Sequence, residues 1–230
     1  MSKRNFIILG VIIFLILAGN IFFTYQQKAA NQNIILTPDK LLASFEVKNI
    51  SLTPEAAQLF RQRFEDVKKN LQADSDSFGD WLYLGVLKKG AGDYEGARDV
   101  FLFAAKIRPQ ASTPFVNLAD LYGYFLNDPV KAEESIKQAI ANDPMEYNFY
   151  LSLADIYRYK FPARQGMYER TLLEAIAKFP DNANLIAPLA AYYRDTDQIQ
   201  KAIERYEQLV KLLPDNKEAK QDLAELKAKK

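Results

Sequence analysis

The chain contains no cysteine and no histidine among its 230 residues. Without cysteine there is no disulfide, no thiolate metal ligand, no thiol nucleophile and no bacterial lipoprotein anchor. Without histidine there is no imidazole to act as a catalytic base or as a zinc ligand. This inventory excludes most familiar enzyme chemistries. We therefore expect no enzymatic activity, no cofactor and no bound metal.

The chain also has almost no excess charge, with 30 basic and 29 acidic residues and a formal net charge of +1. Proteins that bind nucleic-acid backbones concentrate Lys and Arg on one face. The only basic cluster here is the C-terminal Lys227, Lys229 and Lys230, which is typical of a solvated helix end. We therefore expect no nucleic-acid partner. The content of 49% apolar and 26% charged residues indicates a folded globular protein.

One long apolar run without charge, residues 6–23, follows Lys3 and Arg4. At 1.5 Å per residue this run spans about 27 Å, which is just enough to cross the hydrocarbon core of a bilayer. We expect a cytoplasmic N-terminus over residues 1–5, a transmembrane helix in the lipid bilayer over residues 6–24, and a linker over residues 25–36.

The basic residues beside the span predict its orientation. Lys3 and Arg4 precede it and only Lys28 follows closely, so the remainder should lie outside the inner or plasma membrane, in a periplasmic or extracellular space. The alternative is a cleaved signal peptide. The run is longer than a usual signal-peptide core, however, and Ala29 and Ala30 are poorly placed for cleavage.

Two Thr-Pro pairs, Thr37-Pro38 and Thr53-Pro54, carry the signature of a helix N-cap and first turn. They predict N-terminal helices within residues 37–77. In the second helix, apolar residues recur at intervals of three and four and line one face: Ala57, Phe60, Phe64, Val67 and Leu71. We expect this helix to close one end of a repeat stack as a half-repeat.

A longer pattern begins at Trp81. It reads Trp81-x2-Leu84-Gly85, then Ala97-x3-Phe101-x2-Ala104, then Pro109. This resembles the tetratricopeptide repeat (TPR) family, whose pattern is Trp-x2-Leu-Gly-x2-Tyr, then Ala-x3-Phe, then Pro, over 34 residues. The single departure is Lys88, where the family has Tyr. The resemblance implies an all-α protein in which helix pairs stack as an α-solenoid.

The pattern recurs three times, and its four prolines at positions 109, 144, 180 and 214 are 35, 36 and 34 residues apart. We predict four TPR helix pairs over residues 78–110, 111–145, 146–181 and 182–214, followed by a C-terminal capping helix over residues 215–230. The second and third repeats are longer than the first, and we place their extra residues in the turns between helices, near residues 126–129 and 161–166. Tyr168 occupies a position where the family has Ala, which predicts altered packing there.

In the TPR family the first helices line a concave groove that typically holds a peptide of a partner protein. Mapping the repeats onto this chain gives a candidate peptide-binding surface that mixes aromatic, acidic and guanidinium groups. Tyr and Arg are the residues that most often dominate interfaces. The candidate residues are Leu82, Val86, Val116, Asn117, Asp120, Tyr124, Leu151, Asp155, Arg158, Tyr159 and Arg194.

Three functions are compatible with these observations. The first is a membrane-anchored scaffold that binds a partner protein or peptide on the extracytoplasmic side. The second is a structural component of the cell envelope that assembles with copies of itself as a homo-oligomer. The third and most remote is a carboxylate-based glycan hydrolase, which would need a paired Asp or Glu of shifted pKa in a closed pocket. We do not expect an open superhelix to offer such a pocket.

Overall fold

The computed structural model describes residues 36–164 and 166–229. The predicted transmembrane helix and residues 25–35 of the linker lie outside the described residues. The chain divides into two compact units, Met1–Lys40 and Leu41–Lys230. The described residues form eleven α-helices and no strand. No helix among them is both long enough and apolar enough to cross a membrane.

The helices are short and follow one another with short connections, as in a solenoid of helix pairs. Their bounds are α1 Pro38–Leu42, α2 Pro54–Ala73, α3 Phe78–Gly90, α4 Tyr94–Ile107, α5 Thr113–Asp120, α6 Pro129–Asn142, α7 Tyr147–Lys160, α8 Gly166–Lys178, α9 Ala183–Asp195, α10 Ile199–Leu212 and α11 Lys217–Ala228. A π-helical turn, Leu121–Phe125, continues α5, and a 3-10 turn, Pro162–Arg164, follows α7. The four pairs are α3 with α4, α5 with α6, α7 with α8, and α9 with α10.

Within each pair a small residue of the first helix packs against a large residue of the second. In the first pair, a Cβ added to Gly85 would lie only 2.4 Å from the Phe101 ring, so only glycine fits. In the other pairs alanine replaces this glycine and a different large residue replaces the phenylalanine. All of these residues are buried: Ala119 and Ile136, Ala154 and Leu172, and Ala190 and Tyr206. The structure thus confirms that one packing unit is repeated.

Tyrosine–glutamate hydrogen bonds join neighbouring pairs. The Tyr157 hydroxyl donates to Glu133 across 2.7 Å, and the Tyr193 hydroxyl donates to Glu169 across 2.8 Å. Each bond connects the second helix of one pair with the first helix of the next. Burial tends to raise the pKa of Glu133, but hydrogen bonds from Lys137 and Tyr157 outweigh it and lower the pKa. These bonds fix the register of adjacent repeats.

Three of the four turns between paired helices share one backbone conformation. A residue with positive φ stands directly before the second helix's N-cap: Gly92 (φ 83°), Asn127 (φ 51°) and Asp197 (φ 57°). Glycine, asparagine and aspartate are the residues that adopt this left-handed conformation most readily. The first, second and fourth repeats therefore reverse the chain in the same way.

The predicted position of the extra residue in the second repeat is wrong. Three residues connect Phe125 to Pro129, as many as connect Gly90 to Tyr94 in the first repeat, so the extra residue does not lie in the turn. It lies in the π-helical turn, where the Leu126 amide donates to the Leu121 carbonyl across 2.8 Å. A π turn adds one residue to a helix without lengthening the connection after it. In the third repeat the extra residues do lie in the turn, between Lys160 and Gly166.

Tyr168 is accommodated at the position where the repeat pattern has alanine. The side chain is only 2% exposed, and its ring centroid lies 4.9 Å from that of Tyr192. Its hydroxyl donates to the Pro188 carbonyl and accepts a hydrogen bond from Arg158 across 3.2 Å. The larger side chain is therefore held by Arg158 of its own repeat and by Tyr192 and Pro188 of the next repeat.

The two ends of the stack are closed differently. At the C-terminal end α11 buries Ala219 and Leu226, as expected of a capping helix. At the N-terminal end α2 buries Phe64, Val67 and Leu71. An extended segment that we call the strap, residues 43–49, also packs there, and the sequence pattern did not predict it.

Candidate functional site

A depression lies on the first helices of the second and third pairs, α5 and α7. Its volume is about 300 Å³. Five of its lining residues belong to the surface predicted from the sequence, namely Val116, Asn117, Asp120, Tyr124 and Asp155, and the others are Ala119, Ile136, Ser152 and Ile156. The structure therefore brings the central part of the predicted surface together in one place.

Two polar side chains of this depression donate hydrogen bonds to carbonyls of their own helices. The Asn117 amide nitrogen donates to the Thr113 carbonyl across 2.9 Å, and the Ser152 hydroxyl donates to the Asn148 carbonyl across 3.0 Å. The amide oxygen of Asn117 and the lone pairs of Ser152 remain to accept hydrogen bonds. Together with two carboxylates, they make the depression rich in acceptors.

The two carboxylates of the depression differ in their surroundings. Asp120 forms an ion pair with Lys89, which comes from the first helix pair. Asp155 forms no ion pair within the described residues, and loss of hydration raises its pKa against the opposing charge of Arg158. Asp155 is therefore the acidic group that gains most from a cationic neighbour.

Two tyrosines stand out from the surface beside the carboxylates. Tyr124 is 52% exposed and Tyr159 is 61% exposed. The Lys160 ammonium lies 5.0 Å from the centroid of the Tyr124 ring, which is the geometry of a cation–π contact. Exposed aromatic side chains beside a polar depression are typical of interaction surfaces.

A second depression, of about 400 Å³, lies on the first helix pair and shares Asn117 with the first. Its other lining residues are Asn49, Val86, Lys89, Gly90, Tyr94 and Phe125. Only Val86 and Asn117 among them were predicted. Phe125 reaches this surface from the π-helical turn, and Asn49 reaches it from the strap. The TPR pattern contains neither feature, so it gave no signal for these two residues.

The remaining predicted residues have other surroundings. Leu82 and Leu151 are partly buried and pack against the hydrophobic core. Arg158 contacts Tyr168, with its guanidinium 5.1 Å from that ring's centroid. Arg194 forms an ion pair of 2.7 Å with Asp222 in the capping helix α11. These four residues, like Tyr159, line neither depression.

Asp120 and Asp155, which both belong to the surface predicted from the sequence, are a pair of carboxylates in one depression. Glycoside hydrolysis requires one protonated and one ionised carboxyl group on either side of the scissile bond. Here Lys89 neutralises Asp120, while Asp155 is exposed at a surface that does not exclude water. The two carboxylates are therefore not arranged as this reaction requires.

Comparison with known proteins gives structural matches only. No protein-family model matches the chain, and no curated protein sequence matches it. The structure resembles that of MamA with a TM-score of 0.55 at 14% identity, covering 72% of this chain and 97% of that one. It resembles PilW, described as a widely conserved type IV pilus biogenesis factor, with a TM-score of 0.53 at 18% identity, covering 75% and 84%.

A third similar structure is YrrB, described as a TPR protein with an unusual peptide-binding site. The TM-score is 0.52 at 10% identity, and the match covers 70% of this chain and 82% of YrrB. At such identities the likeness concerns the fold alone. It defines the described part of the chain as an all-α solenoid of the TPR type.

Proposed function

We propose that this protein is a membrane-anchored scaffold whose TPR groove binds a peptide segment of a partner protein. The observation that carries the proposal is the depression across α5 and α7, where exposed Tyr124 lines the depression together with apolar residues and hydrogen-bond acceptors. Exposed Tyr159 lies four residues after Asp155 on α7. A surface of this kind supplies both apolar area and directional polar contacts, which are the two components of a peptide-binding site.

The continuity of the surface supports the same proposal. The two depressions share Asn117, and Lys89 of the second is the ion-pair partner of Asp120 in the first. An extended peptide rises about 3.3 Å per residue, so a short segment of partner chain can contact first helices of successive repeats. YrrB offers a precedent for a peptide-binding site on a similar fold.

Site-specific photo-crosslinking in cells tests this function. A photoreactive phenylalanine analogue replaces Tyr124 in one variant and Tyr159 in another, and matched controls carry it at Leu102 and Leu173. The controls are 39% and 36% exposed and lie on second helices, away from both depressions. We expect one partner to be crosslinked from both tyrosine positions and not from the controls. Recovery of the same products from all four positions would contradict the proposal.

Recovery of the chain itself from Tyr124 and Tyr159 would instead support the self-assembling envelope component. The two functions are thereby separated by the mass of the crosslinked product. No observation in the described residues favours self-assembly over a heterologous partner.

The membrane anchor and the extracytoplasmic location belong to the same proposal, and they rest on the uncharged run over residues 6–23 and on Lys3 and Arg4 before it. Because the chain has no cysteine, single introduced cysteines report topology cleanly. We expect Asp215→Cys to react with a membrane-impermeant maleimide while the inner membrane is intact, and Ser2→Cys to react only after permeabilisation. The reverse pattern would contradict the orientation.

A further inference from the structure

We propose that the depression across α5 and α7 takes a lysine or arginine side chain of the partner peptide, with the cationic head at Asp155. This inference rests on the proposed function and specifies the chemistry of the ligand. It follows from three properties of the depression: the direction of its hydrogen bonds, its apolar walls, and a carboxylate, Asp155, that forms no ion pair in the described part of the chain.

The hydrogen-bonding groups of the lining are mostly acceptors and therefore favour a donor from the ligand. Ser152 and one N–H of Asn117 donate to the carbonyls of Asn148 and Thr113, and the carboxylates of Asp120 and Asp155 only accept. A glutamate or aspartate side chain of a ligand would add further acceptors and negative charge. A lysine ammonium or an arginine guanidinium is a donor without any acceptor, so it complements this lining.

The walls require an aliphatic stem. Val116 and Ile156, together with Ala119 and Ile136, supply hydrocarbon surface around the polar groups. A volume of about 300 Å³ equals that of about ten water molecules in the liquid, which is room for one long side chain. Lysine and arginine bury a hydrocarbon stem along apolar surface while the charged head contacts polar groups at its end.

The charges favour a cation over a neutral donor. Asp120 and Asp155 are the only charged residues of the nine that line the depression, and Lys89 already compensates Asp120. Asp155 forms no ion pair in the described part of the chain, and the charge of Arg158 on the same helix compensates it only in part. The Tyr124 ring already accepts the Lys160 ammonium on its face at 5.0 Å, so an aromatic surface suited to cations stands beside the free carboxylate.

The test is a peptide selection with the full 230-residue chain held in detergent micelles. Random dodecapeptides displayed on phage are selected on the wild type, on Asp155→Lys and on Glu174→Lys. Glu174 is an exposed acidic residue of α8 outside both depressions, so it provides the same charge change at an unrelated site. Circular dichroism before selection checks that each variant is folded.

We expect the wild type and Glu174→Lys to enrich peptides with Lys or Arg at one aligned position. We expect Asp155→Lys to lose that enrichment by at least about tenfold, the factor that corresponds to one well-placed charge pair. Retention of the same basic position by Asp155→Lys, or its equal loss in Glu174→Lys, would overturn the inference.

A binding cycle with one enriched peptide completes the test. Replacing the peptide's basic residue by norleucine and replacing Asp155 by Asn should each weaken binding about tenfold, and together by little more than either alone. Additive losses would overturn the direct pairing. Peptides that bind in a Tyr124-dependent way without any basic residue would overturn this inference and leave the proposed function standing. No enrichment, or binding unaffected by Tyr124→Ala, would contradict the proposed function itself.

Discussion

The two ends of the repeat stack differ in the burial of their ion pairs: the N-terminal pair is buried and the C-terminal pair is partly exposed. At the N-terminal end, Lys88 is 4% exposed and stands where the other three repeats have tyrosine. Its ammonium lies 3.3 Å from Asp93, which also accepts Lys48 of the strap at 2.8 Å. At the C-terminal end, Arg194 meets Asp222 of the capping helix where both side chains keep about a third of their surface exposed.

The comparison shows why the first repeat departs from the family pattern. Lys88 also donates to the Ser44 carbonyl across 3.0 Å, and the rings of Phe45 and Phe64 lie 6.0 Å from its ammonium. A tyrosine at this position contacts a preceding repeat, as Tyr157 and Tyr193 do. Within the described residues no full repeat precedes the first one, and a buried lysine holds the strap instead. Breaking this arrangement should cost far more than breaking the exposed pair at the other end.

The largest effect is expected from Asp93→Ala. Removing this carboxylate leaves Lys88 buried without a counterion, which should destabilise the protein by about 3 kcal/mol. The matched control, Arg194→Ala, removes the more exposed partner of the C-terminal pair and should cost less than about 1 kcal/mol. Urea denaturation of the two variants measures both values. Equal losses would mean that the Lys88 charge is not held as the structure indicates.

The second largest loss of stability is expected from a substitution in the turn of the first repeat. The amides of Lys48 and Asn49 both donate to the Ala91 carbonyl, at 2.7 and 2.8 Å, and a Cβ at Gly92 would lie 2.9 Å from the Asn49 nitrogen. Gly92→Ala combines this overlap with an unfavourable positive φ and should cost about 2 kcal/mol.

Asp197 is the control for Gly92 because it holds the same turn position in the fourth repeat, where no strap packs. Asp197→Ala keeps a Cβ that is already present, so it should cost less than about 1 kcal/mol. Hydrogen exchange at the Lys48 and Asn49 amides should accelerate in Gly92→Ala alone. Unchanged exchange there would show that the strap does not depend on this turn.

A third prediction concerns pH at the same end. Burial tends to raise the pKa of Asp93, but the hydrogen bonds and charges of Lys48 and Lys88 outweigh it, so the folded-state pKa is lowered. Asp93 therefore contributes stability above its unfolded-state pKa of about 3.9 and loses it as the pH falls through the lower folded-state pKa. Protection of the Lys48 amide should decrease in that acidic range. In Asp93→Asn it should be weaker at neutral pH and should lack this acid-dependent step.

Part of the fold and of the candidate site can be predicted from the sequence. The helix pairs are predictable because residues such as Gly85 and Phe101 must meet at a fixed spacing in every repeat. The candidate groove residues Asn117, Asp120 and Asp155 follow from the same periodicity, since they occupy positions of the first helices between the core positions.

The remaining features depend on contacts that a repeat pattern does not contain. The π-helical turn moves Phe125 to the surface, and the choice between a longer turn and a π turn depends on tertiary packing. The strap has no periodicity of its own, so Asn49 is recognisable only once Gly92 and Ala91 are placed beside it. Lys88 was visible as a departure from the pattern, although its partners Ser44 and Asp93 were not.

The smallest effect is expected at the C-terminal end itself. Arg194→Ala removes an ion pair whose side chains are 38% and 27% exposed, so it should cost about 0.5 kcal/mol at low salt and almost nothing in 1 M NaCl. Asp93→Ala should keep most of its effect at the same salt concentration, because a buried pair is screened much less than an exposed one. Denaturation of both variants at low and high salt measures this difference. If Arg194→Ala proved as costly and as insensitive to salt as Asp93→Ala, the capping helix would be held by charge rather than by burial of Ala219 and Leu226.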